Sequence, residues 1–277
     1  MIDKIIFNNN EYFVKRDDLL KPFDGNKARK LAYFLKNDLP IKRIISYGSN
    51  QSNAMYALAK LAKIKNWEFH YYTNHISKFL LNNPHGNYYY ALKEGMKIYQ
   101  INLNNEQLKE YVYSLKDEDT FIIEEGARIK ESEYGIKELA NEIEDFVKKN
   151  NLSIFLPSGT GTTAFYLAKN LDVEVITTPC VGDIEYLKKQ MQTLGKIPKN
   201  LTIIQYRKYH FAKPYLHLYQ IWKSLKKDIE FDLIYDPIGW EVIMKKNLKN
   251  ILYIHQGGLK GNESMLLRYK HKFKQIN

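Results

Sequence analysis

Short apolar segments alternate with longer amphipathic segments along most of the 277-residue chain. Residues 43–46 and 120–124 have the length and composition of buried strands, whereas residues 55–63 and 131–150 repeat small and apolar side chains at helical spacing. Strands that alternate with helices are joined by crossovers, which place neighbouring strands parallel and cover the sheet with helices. The sequence therefore predicts an α/β fold of mostly parallel sheets flanked by helices.

Two of the predicted strand-to-helix connections consist of small residues that form hydrogen bonds. One spans residues 46–54, and the other, residues 158–163, reads Ser-Gly-Thr-Gly-Thr-Thr. Glycines let backbone amides approach a phosphate, threonine hydroxyls donate to it, and the start of the following helix adds partial positive charge. The second loop thus suits a phosphate group, with an ordinary strand-to-helix turn as the alternative. It is neither a Walker loop nor a dinucleotide fingerprint, because the required lysine and glycine spacings are absent.

Lys27 is a candidate nucleophile near the N-terminus. It follows Gly25 and Asn26, which predict a tight turn and a helix cap, and it lies on the first turn of a helix predicted to reach about Asn37. Backbone amides at a helix start and neighbouring cations lower the pKa of an amine, and only the neutral amine attacks an aldehyde. The alternative is a solvated lysine among the 42 basic residues of the chain.

Several short motifs, taken in their order along the chain, resemble one family of enzymes. The resemblance is to the 1-aminocyclopropane-1-carboxylate deaminase and D-cysteine desulfhydrase family, pyridoxal-phosphate enzymes of the tryptophan synthase β-subunit class, also called fold type II. It covers most of the chain and implies a two-domain fold, with residues 1–31 plus 129–277 as the large domain and 32–128 as the small domain. The matching segments are residues 15–19, 25–31, 46–54 and 158–163, Asp236-Pro237 and residues 255–258.

The resemblance implies a role for each motif residue in holding pyridoxal 5'-phosphate. Lys27 would form a Schiff base with the cofactor aldehyde and then move protons at the substrate carbons. Lys30 would lie near the phosphate, Asn53 would bind the phenolic oxygen, and Gln256 would lie near the pyridine nitrogen. The remaining cofactor-binding residues are those of the phosphate loop, Gly159, Thr160, Gly161 and Thr162.

The resemblance also places the substrate. Gln51, Ser52 and Asn53 would bind the substrate at a helix start, where amides and side chains together accommodate a carboxylate. Ser52 matches a serine implicated in opening the cyclopropane ring in the deaminases, so it is a second candidate catalytic residue. The alternative is a helix-capping segment that binds no ligand.

Two departures from the family pattern bear on the reaction. Gly239 stands where an active-site tyrosine is expected, and Gln256 stands where relatives have threonine or an apolar residue. Glu241 is a possible alternative partner of the pyridine nitrogen. A weak electron sink and a missing phenol favour α,β-elimination, as in a D-cysteine desulfhydrase, giving a 2-oxo acid, ammonia and sulfide. The alternatives are cyclopropane ring-opening deamination, racemisation, β-replacement and a catalytically silent binding protein of the same fold.

Composition and charge bear on the partners and the location that we expect for the protein. The net charge of +11 suggests nucleic acid, but the lysines are spread over many helices without a recognition motif, so we expect no nucleic-acid partner. No apolar run is long enough to span a membrane and no secretory signal begins the chain, so a cytoplasmic protein without membrane association is expected. The resemblance implies a homodimer.

The remaining reactive residues predict no further site. Cys180 is the only cysteine and is expected to pack in the interior. The histidine pairs 75/85 and 210/217 lack metal-ligand spacing, so no metal is predicted. His255 has either a structural role or faces the site. The basic segment 268–274 is expected to be frayed or solvated.

Overall fold

A computed structural model describes residues 1–23, 25–226 and 229–276 of the chain. Asp24, which precedes the Gly25-Asn26-Lys27 motif, lies outside the described residues. The described residues form ten strands in two sheets. The strands are β1 (Ile2–Phe7), β2 (Asn10–Arg16), β3 (Arg43–Tyr47), β4 (Glu68–Thr73), β5 (Lys97–Gln100), β6 (Thr120–Ile122), β7 (Ser153–Ser158), β8 (Val175–Pro179), β9 (Leu201–Ile203) and β10 (Ile251–His255).

The α-helices lie between these strands in the order that the sequence predicts. They are α1 (Asn26–Lys30), α2 (Ala32–Lys36), α3 (Asn53–Lys65), α4 (Lys78–Asn82), α5 (Gly86–Lys93), α6 (Asn105–Ser114), α7 (Ser132–Lys149), α8 (Thr162–Asn170), α9 (Ile184–Gln192), α10 (Leu216–Leu225), α11 (Asp236–Lys245) and α12 (Gly261–Lys272). Among the helices of the described segments, none is long and apolar enough to cross a membrane.

The two sheets confirm the predicted parallel arrangement with one exception. The four-stranded sheet, in the order β5-β4-β3-β6, is parallel throughout. The six-stranded sheet, in the order β1-β2-β10-β7-β8-β9, is parallel except for β1, which forms an antiparallel hairpin with β2. Asn8 and Asn9 at the tip of this hairpin have positive φ angles of 50° and 60°, which asparagine tolerates better than most residues.

The strand ranges fall within the two predicted domains. The four-stranded sheet uses residues 43–122, whereas the six-stranded sheet combines residues 2–16 with residues 153–255. Both central strands β3 and β7 are buried along nearly their whole length, because helices cover both faces of each sheet. The predicted domain boundaries at 31/32 and 128/129 stay a prediction.

Two local predictions were wrong, and a third holds in one of its two alternatives. The helix predicted from Lys27 to Asn37 is interrupted at Leu31, which has ψ of 4° and separates α1 from α2. Asn26 does not cap α1, because the capping position is Gly25 and no side chain caps this helix. The basic segment 268–274 is helical as far as Lys272 and so is not frayed, but Arg268, Lys270 and Lys274 are exposed, which agrees with the solvated alternative.

Cys180 packs in the interior, as predicted. It is 2% exposed and lies in a small apolar cluster with Leu218 and Ile238. His255 is fully buried, stacks on Phe231 with 4.7 Å between ring centroids, and has Nε2 2.8 Å from the carbonyl oxygen of Glu230. These contacts assign His255 a structural role.

Candidate functional site

A cavity of about 300 Å³ lies where loops at the carboxyl ends of β3 and β6 meet those at the carboxyl ends of β7 and β10. This is the edge at which parallel sheets usually bind ligands, because the loops there are free of the sheet's hydrogen bonding. Every site residue predicted from the sequence lines it. These residues are Lys27, Lys30, Gln51, Ser52, Asn53, Gly159, Thr160, Gly161, Thr162 and Gln256.

Lys27 reaches the cavity from the first turn of α1. The turn before it brings the backbone close to the segment after β10, because the amide of Asn26 donates to the carbonyl of Gln256 at 2.9 Å. Gly25 has φ of 67°, and a Cβ at this position would lie 1.6 Å from the same carbonyl oxygen. The Lys27 Nζ donates to Asn26 Oδ1 at 2.9 Å. Asn26 therefore orients the lysine instead of capping the helix.

Lys30 is a buried cation one turn after Lys27. Its side chain is 3% exposed, and Nζ donates to the carbonyl of Gly126 at 2.9 Å. Burial lowers the pKa of Lys30 well below its ordinary value, and the charges of Lys27 and Arg128 lower it further. No salt bridge links Lys30 to an acidic residue in the described part of the chain, so a bound anion would stabilise its charged form.

The loop after β7 offers hydrogen-bond donors to an anion. Within the described ranges, the backbone amides of residues 159–164 donate to no backbone carbonyl outside helices and strands. The Thr160 and Thr162 hydroxyls are 3.0 Å apart, and Thr163 Oγ1 is buried without a hydrogen-bond partner among the described residues. A phosphate group at the start of α8 would satisfy these donors. Thr163 was absent from the predicted binding set, although its place in the second position of a helix marks it as a donor.

The segment before α3 combines a capping role with a place in the cavity wall. Ser52 is the N-cap of α3, and its Oγ accepts hydrogen bonds from the amides of Ala54 at 3.1 Å and Met55 at 3.5 Å. The Gln51 Oε1 accepts from the Ser264 hydroxyl at 2.8 Å. The two interpretations left open by the sequence, a cap and a binding site, are therefore compatible in this geometry.

Asn87 positions this segment and was not predicted from the sequence. It is 1% exposed, and its Nδ2 donates to the Gln51 carbonyl at 3.0 Å and to Asn53 Oδ1 at 2.6 Å. This hydrogen bond fixes the orientation of the Asn53 amide, and Asn53 lines the cavity. Asn87 lies 34 residues from Asn53 in the chain, so no local pattern connects them.

The amide of Gln256 is held at both ends. Its Nε2 donates to the Pro157 carbonyl at 2.6 Å, and its Oε1 accepts from Asn26 Nδ2 at 2.8 Å. Glu241, the suggested alternative partner of a pyridine nitrogen, does not line this cavity. It is 3% exposed, accepts from the Tyr209 hydroxyl at 2.5 Å, and lines a separate groove. That suggestion was wrong, because α11 directs Glu241 away from the loops.

A tyrosine other than the expected one lies in the cavity. Gly239 is directed into the core, where a Cβ would lie 3.0 Å from the Tyr253 hydroxyl and 3.2 Å from Phe155. Tyr235, just before α11, lines the cavity instead, and its ring lies 3.4 Å from the position of a Cβ on Gly159. Burial raises the pKa of Tyr235, and the charge of Asp232 adds to this shift. Tyr235 therefore presents a neutral phenol to the cavity.

The loop after β6 is anchored by the side chain of Glu124, which is 9% exposed. The Tyr113 and Tyr47 hydroxyls donate to its carboxylate at 2.6 Å and 2.7 Å. Lys109 and Arg128 form ion pairs with it, each at 2.9 Å. Burial favours the neutral acid, but these hydrogen bonds outweigh it and lower the pKa of Glu124 to about 2. The next residue, Glu125, lines the cavity.

We expect Glu124→Gln to lower the free energy of unfolding at pH 7 by up to about 3 kcal/mol, from the drop in pKa from 4.5 to about 2. A carboxyl group whose pKa is lowered by folding stabilises the fold at pH values above its unfolded-state pKa. This stabilisation is lost as the pH falls through its folded-state pKa. The difference between wild type and variant should thus shrink between about pH 4.5 and about pH 2. Urea unfolding across this range tests it, with the exposed Glu118→Gln as control. A difference that is independent of pH would contradict the prediction.

The described residues contain no group of three or more histidine, cysteine, aspartate or glutamate side chains that could hold a metal ion. Comparison with known proteins gave similarity in structure only. No family model matches the chain, and no curated protein matches it.

Solved structures match over nearly the whole chain. A structure described as an ACC deaminase homologue has a TM-score of 0.78 and 20% identity, over 97% of this chain and 89% of its own. A hydrogen sulfide-producing enzyme from Fusobacterium nucleatum has a TM-score of 0.64 and 14% identity, over 93% and 92%. A pyridoxal 5'-phosphate-dependent aspartate racemase has a TM-score of 0.62 and 12% identity, over 90% and 84%. The chain has the fold of these enzymes, which confirms the predicted α/β fold of the type II class.

Proposed function

We propose that the protein is a pyridoxal 5'-phosphate-dependent lyase or deaminase acting on a small amino acid. The observation that carries the proposal is the placement of Lys27 in one cavity with the donor-rich loop 159–163 and the buried cation Lys30. A nucleophilic amine at one side of a cavity and an anion site at the other match a ligand that has both an aldehyde and a phosphate. The enzymes that share the fold support this proposal.

The residues present fit the cofactor. The orphaned hydroxyl of Thr163 and the charge of Lys30 both lack an anionic partner among the described residues, and a phosphate supplies one. Asn53 Nδ2 would donate to the phenolic oxygen, and Lys27 would bond with the aldehyde. Gln256 would face the ring nitrogen as a neutral amide. When bound, pyridoxal phosphate supplies an electron sink for the substrate α-carbon.

The chain's own groups would perform binding and proton transfer. The start of α3 would hold the substrate carboxylate through Gln51 and Ser52, with Asn87 fixing the segment. The Lys27 amine would remove the proton from the substrate α-carbon. Because Gln256 is a neutral amide engaged by Asn26 and Pro157, it gives the ring nitrogen little positive charge. The sink would thus be weak, which favours elimination of a good leaving group.

We propose α,β-elimination from D-cysteine, which yields a 2-oxo acid, ammonia and sulfide, as the reaction. The second candidate is ring-opening deamination of 1-aminocyclopropane-1-carboxylate. Gly239 argues against it on sequence, but Tyr235 brings a phenol into the cavity from a neighbouring position. The homodimer stays a prediction from the resemblance, and the cytoplasmic location stays a prediction from the sequence.

The proposed function is tested by adding pyridoxal phosphate to the purified protein and recording its visible absorption spectrum. A band typical of the cofactor bonded to a lysine is expected. The loaded protein is then assayed for 2-oxo acid and sulfide with D- and L-cysteine, and for 2-oxo acid with the cyclopropane substrate. Sulfide from D-cysteine supports the desulfhydrase reaction. A band without any turnover would overturn the proposed reaction, and no band would overturn the cofactor.

We expect Thr163→Val to weaken the affinity for pyridoxal phosphate about 10- to 100-fold, because a hydrogen bond to a charged group contributes about 1.5–3 kcal/mol. Its affinity for pyridoxal, which lacks the phosphate, should stay unchanged. The unfolding midpoint without cofactor should not fall, since the hydroxyl has no partner among the described residues. Titration by absorbance measures both affinities. An equal loss for both ligands would contradict a phosphate contact at Thr163.

A further inference from the structure

Glu125 is a carboxyl group of the cavity wall that makes no hydrogen bond or ion pair with the described part of the chain. The other acidic residues of the wall are engaged. Asp236 accepts from the Tyr253 hydroxyl at 2.6 Å and from the Asp232 amide at 2.9 Å, and Asp232 accepts two backbone amides through Oδ1. Glu125 is thus available to a ligand, whereas Asp236 is committed to the fold.

Glu125 lies at the end of the cavity that the substrate would occupy. An ideal Cβ on Gly48, which has φ of 131°, would lie 2.8 Å from Glu125 Oε1 and 3.1 Å from the Tyr71 hydroxyl, so both groups stand against this glycine. The Tyr71 hydroxyl donates to the Ser49 carbonyl at 2.9 Å and lies within hydrogen-bonding reach of Ser52. The carboxyl group therefore stands beside the loop that begins α3.

The backbone around Glu125 is fixed on both sides. The preceding Glu124 side chain is held by the four donors described above, and the following carbonyl, that of Gly126, accepts from Lys30 Nζ at 2.9 Å. The Ser132 hydroxyl donates to the Ala127 carbonyl at 2.8 Å. The backbone that carries Glu125 therefore has a defined position at the cavity.

The surroundings of Glu125 favour its protonated form. Although its side chain is open to the cavity, protein surrounds it, and burial raises the pKa of Glu125. The charge of Arg128 opposes this rise in pKa and that of Glu124 adds to it. Three phenols near Glu125 also have pKa values raised by burial, those of Tyr71 from β4, Tyr186 from α9 and Tyr235 before α11. Lys27 and Lys30 line the same cavity.

We propose that Glu125 is the general acid that protonates the group leaving from the substrate β-carbon. This inference rests on the proposed function and deepens it. A general acid at this position would let the enzyme also act on amino acids whose β-carbon carries a poor leaving group, such as hydroxide. Chloride leaves without a proton and a thiol leaves readily, whereas hydroxide leaves only as water.

The proposed step is balanced. The Cα–H proton passes to the Lys27 amine, and the electron pair of that bond forms the double bond between Cα and Cβ. The bond from Cβ to the leaving group breaks, its electron pair goes with the leaving group, and the proton of Glu125 joins that pair. Water then hydrolyses the enamine to a 2-oxo acid and ammonia. Lys27 then releases its proton to the solvent, and Glu125 takes up a proton from the solvent, which restores its acid form.

The test compares wild type with Glu125→Gln, both loaded with pyridoxal phosphate, on serine and β-chloroalanine of the enantiomer that wild type processes. We expect the ratio of kcat/KM for serine to kcat/KM for β-chloroalanine to fall at least tenfold in the variant, within the range of general acid catalysis. Glu125→Asp should recover part of the ratio. Glu118→Gln, an exposed change outside the cavity, is the matched control.

Each outcome decides the matter. An unchanged ratio in Glu125→Gln would overturn the inference, as would a wild-type enzyme that releases 2-oxo acid from β-chloroalanine but not from serine. A loss seen only in KM would also overturn it, because a proton donor acts on kcat. Failure of wild type on β-chloroalanine itself would instead count against the proposed function, so the two failures are distinguishable.

Discussion

Lys27→Ala should abolish the visible band of bound pyridoxal phosphate and reduce 2-oxo acid release by at least about 10³-fold, since it removes both the amine that bonds to the aldehyde and the proton acceptor. This is the largest effect on function that we expect. Lys27 lines the cavity from the first turn of α1, with its Nζ 2.9 Å from Asn26 Oδ1. The measurement is an absorbance titration followed by the 2-oxo acid assay.

Lys36→Ala is the matched control, because Lys36 lies on the neighbouring helix α2 with an exposed side chain paired to Glu138. It should keep the band and the activity. Lys30 would not replace Lys27 in the variant, since its Nζ is bound to the Gly126 carbonyl. A band of wild-type intensity in Lys27→Ala would show that another lysine bonds to the cofactor and would remove the basis of the proposed function.

Gly25→Ala should lower the free energy of unfolding by more than about 4 kcal/mol, or prevent folding. The added Cβ would lie 1.6 Å from the carbonyl oxygen of Gln256 and 2.7 Å from the Cα of Gly257, and both contacts are to backbone, which cannot rotate away. The φ of 67° adds a smaller cost for a residue with a side chain. The contact between the α1 turn and the segment after β10 must open, which moves Lys27 from the cavity.

The variant Gly95→Ala separates the steric clash of an added Cβ from the cost of a positive φ. Gly95 also has a positive φ, 94°, but a Cβ there would meet no atom within 4 Å. We expect it to lower the free energy of unfolding by only about 1–2 kcal/mol, the cost of the backbone conformation alone. Urea unfolding of both variants measures the difference. If Gly25→Ala costs no more than Gly95→Ala, the close approach to Gln256 is not essential to the fold.

The site residues predicted from the sequence lie at the carboxyl edges of their sheets for a reason that local pattern supplies. Each predicted loop follows a strand, as at Ser158 and Tyr47, and the strands of each main sheet run parallel apart from β1. Loops that follow parallel strands emerge at the same edge of a sheet. The order of strands and helices was thus sufficient to place Lys27 and the 159–163 loop at one edge of the six-stranded sheet and Asn53 at the same kind of edge of the four-stranded sheet. The packing of the two sheets then brought these edges to one cavity.

The residues that the sequence analysis missed depend on packing between distant segments. Asn87 reaches Asn53 across 34 residues, and Glu125 enters the cavity only because the loop after β6 meets the loop after β3. Neither contact leaves a local pattern, since polar residues in loops are common whether or not they face a ligand.

The sequence by itself determined the class of fold, the order of its elements and the three motifs that form the cavity, because periodicity and loop chemistry are local properties. Only the tertiary structure decided which side chains near α11 face that cavity. The family resemblance pointed to positions 239 and 241, yet α11 packs so that both residues face elsewhere and Tyr235 enters the cavity. The rotation of a helix about its axis is set by the neighbours that bury it, and these come from remote parts of the chain.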